Sequence, residues 1–228
     1  MQFRRYGIYY TPHPGALADF GARWLGWDVA SGQPAPHPDI PGLPAPLPDI
    51  TATPRKYGLH GTIKPPFHLA EGATAAALAD ALHILCASLA PVTLDGLHLA
   101  RLGRFLALKI DGDQTPLANL AASVVQQLDP FRAPPSDAEL ARRRRARLNA
   151  RQEALLAQWG YPYVLDEFRF HITLTGPLAP EQAVEVETAL APHITPLLPR
   201  PFTVRDLTLV GEDISGMFHE IHRYTLTG

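Results

Sequence analysis

The sequence has a single cysteine and no long apolar segment. Cys86 excludes an internal disulfide, which is typical of proteins from a reducing compartment. No apolar run approaches the roughly 18 residues that a membrane span requires. Arg4 and Arg5 lie near the amino terminus, but no apolar run of signal-peptide length follows them. We therefore expect a cytoplasmic protein that makes no contact with a membrane.

The sequence also lacks an excess of charge of either sign. It has 20 lysines and arginines against 22 aspartates and glutamates, which gives a formal net charge of −2. Such a balance provides no global attraction to nucleic acid or to an anionic surface. The 228 residues are 46% hydrophobic, which is sufficient for a packed core. We expect a monomer that binds a small ligand, and a nucleic-acid ligand is not favoured, although a locally basic site leaves it open.

Hydrophobic periodicity predicts an alternation of strands and helices. Strands are predicted at 3–10, 57–63, 92–99, 105–110, 168–175, 202–210 and 217–226, and helices at 14–27, 74–89, 115–128, 136–159 and 180–191. Residues 33–48 contain seven prolines and predict an extended surface loop, either a lid or an insertion. The pair Pro65 and Pro66 is expected to end the strand at 57–63.

One unit of this pattern occurs twice. His60 is followed 31 residues later by Pro91 and a strand, and His171 is followed 30 residues later by Pro201 and a strand. Both intervals contain one helix, and a final strand follows in both. The matching order, spacing and motif indicate a duplicated strand-helix-strand-strand unit. We therefore predict two similar lobes that face each other across a cleft.

The first strand of each copy carries histidine and threonine two residues apart, so that both point to one face. The polar faces carry His60, Thr62 and Lys64 in the first copy, and Arg169, His171, Thr173 and Thr175 in the second. The other face of the second strand carries Phe170, Ile172 and Leu174. An apolar back packs on helices, whereas a polar front with imidazoles faces water or a ligand.

This combination of side chains suits displacement at phosphorus. The entering and leaving oxygens lie roughly in line, so one group must accept a proton and another must donate one. Histidine serves either role near neutral pH. The hydroxyls of Thr62 and Thr173 would bind the non-bridging oxygens, and Lys64 and Arg169 would add charge-assisted contacts. We predict His60, Thr62, His171 and Thr173 as the catalytic set, with no metal or other cofactor.

At these residues the sequence resembles the two-histidine (2H) phosphoesterase superfamily, whose pattern is two His-x-Thr/Ser-hydrophobic tetrads. His60-Gly61-Thr62-Ile63 and His171-Ile172-Thr173-Leu174 match it. The segments YGLHGTIKPPF and WGYPYVLDEFRFHITLTG look more narrowly like one family of this superfamily, found in bacterial operons for phosphonate use. Gly61 stands where that family leads us to expect alanine. It points away from the cleft, so we expect little effect on the chemistry.

The resemblance covers nearly the whole chain and implies both a fold and an activity. The implied fold is α+β and bilobal, with pseudo-twofold symmetry, an antiparallel sheet with flanking helices in each lobe, and a central cleft. We expect one domain, 1–228, with lobes of about 1–112 and 113–228. The implied activity is metal-independent opening of a cyclic phosphodiester. A ribose 1,2-cyclic phosphate, an intermediate of phosphonate breakdown, is a reasonable substrate.

Five further residues are weaker candidates for substrate binding. Arg143, Arg144 and Arg151 belong to an arginine-rich helical segment; one of them would bind phosphate unless all of them form a solvated face. Tyr10 and Tyr163 would stack on a sugar or a base, with core packing as the alternative for each. Which histidine is the base and which the acid remains open.

Two other functions remain open beside hydrolysis of a small cyclic phosphate. One is processing of RNA ends that carry a 2′,3′-cyclic phosphate. The other is a non-catalytic module that binds a phosphorylated metabolite. The presence of two histidines favours catalysis over binding alone, because binding needs no acid-base pair.

Overall fold

The computed structural model describes residues 2–228 and shows a seven-stranded antiparallel sheet with flanking helices, which confirms the predicted α+β class. The strands are β1 (Arg5–Tyr10), β2 (Trp27–Asp28), β3 (Gln33–Pro34), β4 (Gly61–Phe67), β5 (Val92–Leu94), β6 (Gly96–Leu102), β7 (Phe105–Asp111), β8 (Ile172–Thr173), β9 (Phe202–Val204), β10 (Asp206–Glu212) and β11 (Phe218–Thr225). The helices are α1 (Ala16–Leu25), α2 (Leu47–Ile50), α3 (Ala52–Arg55), α4 (Ala75–Ser88), α5 (Thr115–Gln127), α6 (Asp137–Arg144), α7 (Ala150–Trp159) and α8 (Pro180–Ile194).

The strand order of the large sheet is β11-β10-β1-β4-β8-β7-β6. The two His-x-Thr strands, β4 and β8, are therefore neighbours at its centre. The sequence repeats interleave here, because hairpin β6–β7 of the first repeat extends the sheet beyond β8, and β10–β11 of the second lies beyond β1 and β4. Strands from both repeats thus build one continuous surface around the histidines. The division into lobes near residue 112 stays a prediction.

Strand β4 does not end at its prolines, contrary to our expectation. It continues through Pro65 and Pro66 to Phe67, and its register against β1 shifts twice along this stretch. A proline has no amide hydrogen to donate, so a strand tolerates it best where the ladder is already interrupted by a bulge. Strand β8 is shorter than predicted, with only Ile172 and Thr173 in regular pairing.

The predicted helix at 136–159 consists of two helices, α6 and α7. Arg147, between them, has a φ of 54°, which no helix continues through. Asn149 then begins α7 with a capping box, in which its side chain accepts from the backbone of Gln152 and the Gln152 side chain accepts from the backbone of Asn149. The arginine-rich segment therefore turns a corner, and its arginines do not share one helical face.

The proline-rich segment at 33–48 is held at both ends. It begins in β3, which pairs with β2, and it ends in α2. Ile40 and Leu47 within it are buried in the main core. The main core lies between the sheet and helices α1, α4, α5 and α8. No helix among residues 2–228 combines the length and the apolarity needed to cross a bilayer.

Candidate active site

The two His-x-Thr pairs form one cluster on a single face of the sheet. Gly61 of β4 lies opposite Ile172 of β8 in the antiparallel register. The next pairs on either side are His60 with Thr173 and Thr62 with His171. Because paired residues in an antiparallel ladder share a face, all four side chains of these two pairs project to the same side. The neighbouring pair of Gly61 and Ile172 projects to the opposite side.

Both imidazoles are oriented in the same way. The Nδ1 atom of His60 lies 2.9 Å from the carbonyl oxygen of Gly58, and that of His171 lies 2.8 Å from the carbonyl oxygen of Arg169. A carbonyl only accepts, so Nδ1 carries the proton in each ring. The Nε2 atom of each is therefore the nitrogen left for proton transfer. The two copies match at the level of hydrogen bonds as well as sequence.

The surroundings of His60 favour its neutral form. Its ring stacks on Tyr9, with ring centres 4.1 Å apart, and Tyr57 lies on it at 5.5 Å. The pKa of His60 is lowered to about 4, mainly by burial and in smaller part by the nearby His171, whereas the hydrogen bond to Gly58 opposes both. At neutral pH the Nε2 atom of His60 therefore offers a lone pair. The Thr62 hydroxyl lies 3.3 Å from it.

A cavity of about 490 Å³ opens beside this cluster. Thr62 and His171 line it, and His60 lies behind Thr62 rather than in the wall. The rest of the wall is mainly apolar and aromatic, formed by Ile63, Pro65, Leu102, Gly103, Phe105, Tyr161, Tyr163, Glu167, Phe168 and Arg169. Phe105 lies against His171, with ring centres 5.9 Å apart. The cavity therefore offers an apolar wall next to a polar, proton-transferring end.

Two of the predicted binding residues lie at this cavity. Arg169 is exposed, and its Nη1 atom donates to the carbonyl oxygens of Asp166 and Phe168, at 2.9 and 2.7 Å. These bonds fix a guanidinium at the mouth next to His171. Tyr163 lies on the same wall with an exposed fraction of 40%. Both are thus available to a ligand.

The expectation that Lys64 shares the polar face is wrong. Thr62 pairs with Tyr9, but Lys64 pairs with Ile8, the adjacent residue of β1. This bulge moves Lys64 to the face opposite Thr62. Its Nζ atom is buried and donates to the carbonyl oxygen of Val125 at 3.0 Å, and burial lowers its pKa to about 8. Lys64 therefore ties β4 to helix α5.

Thr175 and Tyr10 are also structural. The buried Thr175 hydroxyl donates to the Gly176 carbonyl oxygen and accepts from the Leu106 amide, so both its hydrogen-bonding roles are filled within the fold. Tyr10 is 6% exposed, and its ring packs edge-on against Phe202 with centres 5.0 Å apart. Adjacent residues on a strand face opposite sides of the sheet. Tyr9 stacks on His60, so Tyr10, the next residue, faces away from the site.

Arg144 and Arg151 lie outside the cavity in exposed ion pairs. The Nε atom of Arg144 donates to Glu153 at 2.8 Å, and that of Arg151 donates to Asp166 at 2.8 Å. Arg144 and Arg151 are therefore exposed to solvent, which is the alternative to phosphate binding that the sequence left open. Arg143 differs, because it is mostly buried with its guanidinium carbon 4.5 Å from the centre of the Tyr161 ring.

Among the residues of this site, Tyr57 and Phe105 were not considered from the sequence, and the choice of Tyr10 and Tyr163 passed over Tyr9 and Tyr161. Tyr9 and Tyr57 enclose His60, and Tyr161 lines the cavity. Tyr9 alternates with Tyr10 on β1, so placing β1 beside β4 would have identified it. Residues 2–228 contain no group of three His, Cys, Asp or Glu side chains arranged to hold a metal ion.

Two solved structures match this chain over nearly its whole length with low sequence identity. LigT from E. coli in complex with 3′-AMP is 16% identical, with 100% of both chains covered and a TM-score of 0.45. TT0787 from Thermus thermophilus is 17% identical, with 98% of both chains covered and a TM-score of 0.42.

Curated relatives have higher identity but are longer. A protein from Janthinobacterium sp. (strain Marseille) named ribose 1,5-bisphosphate phosphokinase PhnN is 38% identical over 231 residues, which cover 98% of this chain and 51% of the relative. A protein of the same name from Laribacter hongkongensis (strain HLHK9) is 36% identical over 182 residues, covering 76% of this chain and 40% of the relative. The chain thus spans about half the length, or less, of the curated relatives it matches.

A family model described as "Protein of unknown function (DUF1045)" matches residues 62–219, well over half of the chain. The matched region begins inside the first His-x-Thr tetrad and contains the second one. It also contains every strand from β5 to β10. The family resemblance predicted from the motifs is confirmed, and the chain belongs to the DUF1045 family.

Proposed function

We propose that this protein hydrolyses a cyclic phosphodiester of a small sugar phosphate or nucleotide, with His60 and His171 as the acid-base pair. The observation that carries the proposal is the shared geometry of the two rings. Each immediately precedes one of two paired central strands, faces the same side, and has its Nδ1 atom bound to a backbone carbonyl two residues earlier. Two nitrogens that accept or donate a proton thus lie beside one cavity.

The different surroundings of the two rings support different roles in the proposed reaction. His60 is neutral at physiological pH because of its burial, so its Nε2 atom is the acceptor. A water oxygen attacks phosphorus and gives its proton to His60. His171, in its protonated form, donates a proton from Nε2 to the ester oxygen as that bond to phosphorus breaks. Proton exchange with solvent restores both rings.

The threonines complete the site. The Thr62 hydroxyl forms a hydrogen bond of 3.3 Å with the His60 Nε2 atom. A hydroxyl rotates freely, so Thr62 would turn to a non-bridging phosphate oxygen when substrate enters. Thr173 lies next to His60 on the other strand and would bind a second oxygen, while Arg169 at the cavity mouth adds positive charge.

A ribose 1,2-cyclic phosphate that carries a 5-phosphate is the substrate that links the chemistry to the relatives. Breaking the bond between phosphorus and O2 leaves the phosphate on O1, and the product is ribose 1,5-bisphosphate. That compound is the one in the name of the longer relatives, which contain a region similar to this chain. A shared polypeptide supports consecutive steps in phosphonate metabolism.

A 2′,3′-cyclic nucleotide, free or at an RNA end, is the second candidate. The observation that favours it is the aromatic wall of Phe105, Tyr161, Tyr163 and Phe168, on which a base would stack. The scarcity of cations in the same wall argues against a long RNA, since RNA backbones require several of them.

A substrate panel monitored by phosphorus NMR tests the proposal. The panel holds ribose 1,2-cyclic phosphate 5-phosphate, 2′,3′-cyclic AMP and an RNA oligonucleotide with a cyclic end, each with and without EDTA. We expect opening of the ribose compound to ribose 1,5-bisphosphate, unchanged by EDTA. Preferred opening of the RNA would favour the second candidate. Tight binding of these compounds without any opening would indicate a binding module and would overturn the proposal.

A further inference from the structure

A second, smaller pocket of about 30 Å³ lies between β4 and helices α6 and α7. Its wall is mainly apolar but includes four charged side chains, with Lys64, Arg132 and Arg143 against Glu139. One water needs roughly 10–15 Å³ of such space, so the pocket admits a group with more than one oxygen. None of these charged groups has a part in the proposed chemistry.

Two buried donors in this pocket have no acceptor. The Nε atom of Arg143 and the Nε1 atom of Trp159 are buried, and neither has a hydrogen-bond partner among residues 2–228. Both residues line the pocket. An unpaired buried donor is costly, and such groups are rare in folded proteins. Both atoms can only donate. A ligand that satisfies them must therefore present acceptor oxygens.

The charges around the pocket favour an anionic acceptor. Arg132 is bound to Asp129 through Nε and Nη2, at 2.7 and 3.2 Å, and Lys64 lies 3.7 Å from the same carboxylate. Arg143 donates to Glu139 at 2.7 Å. The exposed Arg142 lies 3.7 Å from Glu139 as well, so four cations share two carboxylates and positive charge is in excess. A neutral acceptor such as water would leave that excess uncompensated.

The pocket shares a wall with the catalytic cavity. Pro65 and Tyr161 line both. The Arg143 guanidinium lies over the Tyr161 ring and donates to Glu139 beyond it. A ligand bound by Arg143 would therefore lie close to Tyr161, which also lines the catalytic cavity.

We propose that this pocket binds the phosphate group of a phosphomonoester, with the Nε atom of Arg143 and the Nε1 atom of Trp159 as donors. Planar guanidinium and indole groups both donate along fixed directions, which suits two oxygens of one phosphate. The phosphate belongs either to the distal end of the substrate or to a separate effector. Binding itself does not depend on the proposed hydrolysis, whereas assignment to the substrate rests on it.

The indole N–H signals of the protein, resolved by proton-nitrogen NMR, test the binding directly. Trp24 donates to the carbonyl oxygen of Leu174, and Trp27 donates to that of Phe218, each at 2.8 Å, so both serve as internal references. The Trp159 signal is identified by its disappearance in Trp159→Phe. On titration with inorganic phosphate at constant ionic strength, we expect the Trp159 signal alone to move and to saturate. No movement, or an equal response to chloride, would overturn the proposal.

Two neighbouring arginines supply matched variants. Arg143→Gln removes the proposed donor, whereas Arg142→Gln removes the same charge from a side chain that is 60% exposed on the same helix. We expect the dissociation constant for phosphate to rise about tenfold or more in Arg143→Gln, since charge-assisted hydrogen bonds are strong, and to stay within about twofold in Arg142→Gln. An equal rise of the dissociation constant in both variants would mean that phosphate responds only to the overall charge of the helix, which would contradict the proposal.

A third experiment distinguishes binding in this pocket from binding in the catalytic cavity, and it identifies the source of the phosphate. In His171→Ala the Trp159 response to phosphate should persist; its loss would mean that the signal reports the cavity and would contradict the proposal. Adenosine 2′,3′-cyclic phosphate with and without a 5′-phosphate is then added to this variant. Movement of the signal only with the 5′-phosphate supports a distal substrate phosphate. Movement with inorganic phosphate but with neither nucleotide supports a separate effector.

Discussion

Acidification should destabilise the wild-type protein more than a His60→Gln variant. Burial lowers the pKa of His60 from its ordinary value of 6.5 to about 4. Between these values the unfolded chain binds a proton at His60 and the folded protein does not. The free energy of unfolding therefore falls as the pH drops from about 6.5 to about 4. Above pH 6.5 both states are unprotonated at His60, and this loss is absent. A glutamine binds no proton in either state.

The size of this effect follows from the two pKa values. One pKa unit corresponds to about 1.4 kcal/mol, and lowering the pH from about 7 to about 4.5 crosses most of the interval. We expect His60 to account for about 2 kcal/mol of the free energy of unfolding lost over that change. Other groups that titrate in the same range, including His37 and the carboxylates, contribute equally to both proteins. The difference between the two proteins isolates His60.

Urea unfolding at both pH values measures this difference. The wild type should lose about 2 kcal/mol more than His60→Gln, and His68→Gln, at an exposed histidine outside the site, should behave as the wild type does. Parallel losses in the wild type and His60→Gln would refute the reasoning. His60 would then titrate in the folded protein as it does in the unfolded chain, and its assignment as the neutral base would fail.

Four further substitutions test other parts of the site. Thr62→Val and Thr173→Val should each lower kcat by about 10- to 100-fold with little change in fold, and unchanged kcat would remove them from the chemistry. Lys64→Met should leave kcat unchanged but lower the free energy of unfolding by about 1–3 kcal/mol in urea, because its buried hydrogen bond is lost; a strongly lowered kcat would return Lys64 to the catalytic set. Gly61→Ala places a Cβ 2.3 Å from the Phe170 ring and should cost about 1–3 kcal/mol, partly recovered by adding Phe170→Leu; no cost would contradict the packing.

The sequence was sufficient to predict the central strands and most helices. Periodicity located α4, α5 and α8 within a few residues, because each has one apolar face on the sheet. The His-x-Thr repeats predicted that each histidine shares a strand face with its threonine, and the pairing of the two strands brings the histidines together. The pairing itself was not predictable, since β4 meets β8 directly and each is extended by strands of the other repeat.

The errors have local physical causes. A bulge beside Pro65 reverses the alternation that placed Lys64 with His60 and Thr62, and no propensity reveals a bulge in advance. The helix predicted at 136–159 breaks at Arg147, because the cap at Asn149 outweighs a continuous helical pattern. The substitution of glycine at position 61 looked neutral from sequence. The structure places the Phe170 ring where a side chain would lie.

The tyrosines around His60 show a different limit. Tyr9 and Tyr10 have equal standing in the sequence, yet one stacks on His60 and the other packs in the core. The register of β1 against β4 decides between them. A correct choice required the long-range pairing of two strands separated by some fifty residues.

Turnover of a cyclic phosphate by the two single histidine variants tests the central claim most directly. His60→Ala and His171→Ala should each lower kcat by about 10²- to 10⁴-fold while circular dichroism remains that of the wild type, because each removes one half of the proton transfer. His68→Ala, an exposed histidine outside the cavity, should retain wild-type kcat. Near-normal turnover in either His60→Ala or His171→Ala would contradict two-histidine catalysis.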